Sequence, residues 1–124
     1  PTAPGQLSEA TSTNVSITLA FGATTTDTYF KEYKIFYKIG TSGVTEQDTE
    51  HSDTNLAYVD YNGATSTLVE SLSAGTTYVF NIFAYDDYGN KASSTELVIS
   101  TQSSDNPPTG IFNSAAQKTD GSGA

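Results

Sequence analysis

At 124 residues the chain holds one domain with a remainder, enough to bury a core without metal or disulfides. It has no Cys, Met or Trp, and five Lys plus Arg against fourteen Asp plus Glu give a net charge of -9. That charge repels nucleic acid and anionic membranes, and no apolar run approaches the length of a membrane span. A texture rich in Ser and Thr and poor in Lys suits an exposed extracellular β protein.

The chain starts at Pro1 without a signal-peptide core, which marks it as processed or as a piece of a longer protein. Residues 1–5, Pro-Thr-Ala-Pro-Gly, read as a linker. Gln6 to Ala10 suits an edge strand with Leu7 inward, and Thr11 to Asn14 a turn. Val15, Ile17, Leu19 and Phe21 alternate with Ser16, Thr18 and Ala20, the pattern of a strand with one dry face. Gly22 to Thr28 is a polar loop.

Phe30 to Ile39 is the next strand, with Tyr33, Ile35, Tyr37 and Ile39 on one face and Lys34, Phe36 and Lys38 on the other. Gly40 to Gly43 closes it, and Val44 to Thr54 reads as an acidic loop. Leu56 to Asp60 suggests a short strand, followed by a turn at Asn62-Gly63. Thr65 to Ser71 is a strand carrying Leu68 inward.

The most regular stretch runs from Leu72 to Tyr85. A turn at Ala74-Gly75-Thr76 leads into strict alternation, with Tyr78, Phe80, Ile82 and Ala84 on the core face. Val79, Asn81, Phe83 and Tyr85 take the opposite face. Asp86 to Asn90 is a hairpin loop, with Gly89 suited to positive φ. Ser94 to Thr101 is a last strand with Leu97 and Ile99 inward and Val98 outward. About seven strands at short spacing, with no helical period, predict an all-β, two-sheet sandwich.

Residues 102–110 form a second linker, and its Pro107-Pro108-Thr109-Gly110 echoes Pro1 to Gly5 about one domain later. The domain therefore spans residues 6–101. Residues 111–124, opening with Ile111 and Phe112, are too few and too polar for a core of their own. They suit the first strand of a following module, or a strand exchanged with a neighbour.

Leu72-Ser73-Ala74-Gly75-Thr76-Thr77-Tyr78 resembles the Leu-x-Pro-Gly-Thr-x-Tyr motif of the fibronectin type III domain, and Tyr33 to Tyr37 looks like that family's third strand. The resemblance runs from about Ala3 to Thr101, with Ala74 where proline is usual and Phe21 where tryptophan is usual. It implies a seven-stranded, immunoglobulin-like Greek-key sandwich, with Leu72, Gly75 and Tyr78 as structural residues of a tyrosine corner. It also implies a spacer or binding module without catalytic residues or cofactor. The Arg-Gly-Asp loop of some relatives is missing.

No other motif points to catalysis. His51, the single histidine, sits among Glu50, Ser52 and Asp53 as an exposed loop residue, and no Gly-x-Ser-x-Gly elbow is present. Carboxylates cluster at Glu46 to Asp53 and at Asp86-Asp87. With Asp105 these are weak calcium candidates that miss the twelve-residue calcium loop. Asn14-Val15-Ser16 is a glycosylation sequon. Tyr29, Phe36, Tyr58, Tyr61, Phe83, Tyr85 and Tyr88 exceed what a seven-strand core needs. Phe36, Phe83 and Tyr85 should share an outward sheet face, where they either pack under loops or form a contact surface.

These residues predict a non-catalytic structural module of an extracellular surface protein or filament. It would associate with copies of itself, or with neighbouring modules, through strand addition at Ile111-Phe112 or through the aromatic face. The alternative is an adhesin or carbohydrate-binding accessory module, which would need an aromatic platform on its loops.

Overall fold

The computed structural model describes residues 1–104. Eight strand segments form two antiparallel sheets. β1 (Ser8–Ser12), β2 (Ile17–Ala20) and β5 (Ser66–Val69) make a three-stranded sheet in the order β1-β2-β5. β3 (Phe30–Ile39), β4 (Thr49–His51), β6 (Thr77–Asp86), β7 (Lys91–Ser93) and β8 (Leu97–Ser100) make the other, in the order β4-β3-β6-β7 with β8 also on β6. β3 occupies one edge of β6 from Tyr78 to Asp86, so β7 and β8 must both lie along the other edge. They are one edge strand interrupted at residues 94–96, and the sandwich is seven-stranded.

The core lies between the sheets. Ile17, Leu19 and Val69 face Tyr33, Ile35, Phe80, Ile82 and Ala84, all 2 % exposed or less. Each such large side chain contributes about 1.5–3 kcal/mol by leaving water. β6 is central because both its faces are covered: Val79 and Asn81 on the outward side are as buried as their neighbours. Phe21, just past β2, stacks on Tyr61 at 4.2 Å, and Tyr61 on Tyr33 at 4.5 Å, so an aromatic column fills one end.

Several local expectations are corrected. Residues 2–5 are no free linker: Pro4 is buried and the Gly5 amide donates to Ala23 at 2.8 Å. Gly5 and Gly22 cross so closely that a Cβ on either would strike the other's backbone. Val15 does not face the core. A Thr13–Ser16 turn precedes β2 and leaves Val15 49 % exposed. Leu56 to Asp60 is not a strand, because the Asp53 carboxylate accepts from the Asn55 amide and turns Thr54–Ala57 into a short 3-10 helix with Leu56 buried.

Leu68 points outward, not inward. The register Ile17↔Val69 and Leu19↔Thr67 puts Val69 and the polar Thr67 in the core instead. β4 forms within the stretch expected to be loop, because polar Thr49–His51 can pair with β3 without any apolar alternation of its own.

Candidate functional site

The corner before β6 is built as its motif implies. Gly75 adopts φ +57, which lets the turn double back, and its amide donates to Gln102 at 2.8 Å. The Tyr78 hydroxyl accepts from the Ser73 amide at 2.8 Å, while Leu72 plugs the core beside it. These groups tie the corner to the strands around it.

The outward face of the larger sheet is not open. Phe36 is 4 % exposed and forms a second small core with Val79 and Val44, against which Phe83 packs edge to face with Phe36 at 5.5 Å. Val44 is brought there by the loop after β3. The Glu96 carboxylate accepts from the amides of Gly43 at 3.2 Å and Val44 at 2.7 Å, and Lys38 donates to the Gly43 carbonyl. Further along the loop, Glu46 accepts from the Tyr85 hydroxyl at 2.7 Å and pairs with Lys91. Lys91 and Tyr85 together hold the Glu46 carboxyl below its ordinary range. Of the two readings open for Phe36, packing under a loop or forming a contact surface, the structure places it under the loop, enclosed. Phe83 and Tyr85 are half-buried beside it.

Asp86 is also spoken for. Its oxygens accept from the Tyr88 and Asn90 amides and the Asn90 side chain at 2.9–3.0 Å, which keeps its carboxyl below the usual range. A carboxylate spent on closing its own hairpin is a poor cation ligand, and among the described residues no group of three or more potential ligands gathers. Asp87 is exposed beside it. Asp105, Ile111 and Phe112 lie outside the described residues.

His51 is not an exposed loop residue. It stands half-buried on β4, where its Nε2 lies 2.7 Å from Thr67 Oγ1, which in turn donates to Asp53 at 2.7 Å. The threonine has one hydrogen and gives it to the carboxylate, so its oxygen must accept from His51 Nε2–H. This order is the reverse of a base activating a nucleophile, and Thr67 is buried. The three residues clasp β4 to β5 across the side of the sandwich. An open cleft of about 300 Å³ beside them is lined by Glu32, Glu50 and Asp53 and floored by Tyr33 and Leu56.

The loops at one end carry what the alternation could not place. Tyr29 and Tyr88 meet edge to face at 5.0 Å and remain 53 % and 71 % exposed. Each sits two residues after an aspartate whose carboxylate accepts its amide, Asp27 for Tyr29 and Asp86 for Tyr88. The Asp87 amide donates to the Tyr29 carbonyl and joins the two loops. The repeated Asp-x-Tyr was the signal available in the sequence.

The sequence matches the fibronectin type III domain family over residues 2–100. No curated protein sequence matches it. Among solved structures it is similar to the fibronectin type-III domain of human fibronectin type III domain containing protein 3, at 19 % identity and a TM-score of 0.59, covering 87 % of this chain and 92 % of that one. It is also similar to the third fibronectin III domain of human KIAA0343 protein, at 14 % identity and a TM-score of 0.62 over 87 % of each chain. The FN1–FN3 domains of chicken CNTN1 match at 20 % identity and a TM-score of 0.59, covering 82 % of this chain and 33 % of that one. No helix among the described residues is long and apolar enough to cross a membrane.

Proposed function

The chain belongs to the fibronectin type III family, whose members commonly serve as structural or binding modules of multidomain proteins, and we propose that it is a non-catalytic structural unit of an extracellular surface protein, joined in series. One observation carries this reading. The chain enters at one end of the sandwich, where Thr2 and Gly5 bond to the 22–26 loop. It leaves at the other, where Gln102 bonds to Thr13 and Gly75. A unit with opposed ends transmits its direction to whatever follows it. The acidic, Cys-free, Ser/Thr-rich composition supports an exposed extracellular setting.

The segment after the exit is what continues the series. Ile111-Phe112 and the residues to Gln117 either open a following module or add as a strand to the edge of a neighbouring copy. Among the described residues β5 pairs on one side only, with β2, and β4 on one side only, with β3, so each offers an edge. A heterologous contact of this kind builds a fibre when its rotation does not close a ring.

Removal of residues 108–124 tests the exchange. The full chain should form concentration-dependent oligomers in sedimentation velocity, and the shortened chain should run as a monomer with unchanged far-UV dichroism. Identical behaviour of the two chains would sink strand exchange and leave covalent continuation.

A further inference from the structure

We propose that successive units touch end to end, with the Tyr29–Tyr88 pair of one unit seated on the Val15 and Ile39 surface of the unit before it. The inference rests on the serial reading above and adds to it a defined contact.

Four of the large hydrophobic side chains left exposed lie at the two ends. Tyr29 and Tyr88 cap the entry end, while Val15 and Ile39, 49 % and 66 % exposed, flank the exit end. Their placement follows from register. β3 runs from Phe30, opposite Asp86, to Ile39, opposite Tyr78, and the Leu72 amide donates to Val15 in the same layer as the tyrosine corner. Of the other four, Tyr58 and Val59 follow the 3-10 helix Thr54–Ala57, Leu68 lies on β5 of the smaller sheet and Val98 on β8 of the larger one.

The entry pair is held ready. Two aspartate-capped turns, a cross-loop hydrogen bond and the edge-to-face contact fix both rings before any partner arrives, so docking costs little ordering. Spacing brings the partner near. Hydrogen bonds tie the chain at Thr2 on entry and at Gln102 on exit. The entry-like Pro107-Pro108-Thr109-Gly110 begins only a few residues beyond. A repeat of this layout after so few residues keeps the next entry end within reach of the exit end. Across so short a connection the effective concentration is millimolar, so two small apolar patches suffice without a standard-sized interface.

The chain has no native cysteine, so one paramagnetic label reports the contact. Full-length chain carrying a nitroxide at Ser42→Cys, on the exposed exit-end loop, is mixed at millimolar concentration with isotope-labelled full-length chain. The amide signals of Tyr29 and Tyr88 should broaden at least several-fold more than those of β5. The broadening should vanish in labelled chain carrying Tyr29→Ser and Tyr88→Ser, whose spectrum elsewhere is unchanged.

No broadening, broadening on the sheet flanks, or broadening that survives the double substitution overturns the proposal. So do tyrosine shifts that appear with a neutral oligosaccharide and not with a second copy, which would make the pair a glycan platform. Loss of this signal while the 108–124 deletion still abolishes oligomers leaves the series intact and removes only the end contact. The converse pattern retains the contact and removes strand exchange.

Discussion

Tyr33 and Tyr61 stack in the same core, yet their hydroxyls differ. Tyr33 accepts from the Thr25 amide at 2.9 Å and donates to the Val59 carbonyl at 2.8 Å, so its polar atom is satisfied. Tyr61 Oη is buried with no hydrogen-bond partner among the described residues, and burial pushes its phenol far up. An unmade buried hydrogen bond costs about 1–3 kcal/mol. Tyr61→Phe should therefore hold or raise stability in urea titration, while Tyr33→Phe should lose about 1–3 kcal/mol by stranding an amide and a carbonyl. Equal losses in both would show that Tyr61 Oη has a partner in solution.

His51 gives a pH dependence of definite sign. Burial lowers its folded pKa below 6.5, with the Asp53 charge opposing. The folded state thus prefers the neutral ring. Its contribution is present above 6.5, is lost as pH falls through the depressed folded value, and levels off below it. Glu46 and Asp86 are also depressed, from 4.5 and 3.8, so their stabilisation is lost only at lower pH. Melting temperature should fall first in the histidine window, and His51→Gln should flatten that limb alone. A wild-type limb retained in the variant would remove His51 as its source.

At the scale of elements, β6 and the loop after β3 act as a pair. Alternation along Thr77–Asp86 was legible because aromatic and β-branched residues recur at period two. The fate of its outward face was not, since the loop that brings Val44 to Phe36 is held through its amides by Glu96, far away in sequence. Phe36→Ala should cost about 3 kcal/mol, as expected for emptying an enclosed aromatic site. Glu96→Ala should speed hydrogen exchange at Gly43 and Val44 without unfolding the sheet. A Phe36→Ala protein of unchanged stability would show that the loop stands open. The same non-local logic explains Leu68, where pairing with β2 decided the phase and a bonded Thr67 took the core position.

At the scale of the whole molecule, the family, the two-sheet layout and most inward faces were readable from Leu72 to Tyr78, from the β3 and β6 alternation and from the spacing of turns. These are local signals, set by backbone period and turn chemistry, and one chain displays them without its neighbours. Tertiary structure alone decided which apolar residues stay exposed. It enclosed Phe36, turned Val15 and Leu68 outward, and gathered Tyr29 and Tyr88 from loops nearly sixty residues apart. Burial is a property of what packs above a side chain, and that cover comes from distant segments. The sequence on its own therefore determined which sandwich this is, and the packing of its loops decided which surfaces are left to meet another molecule.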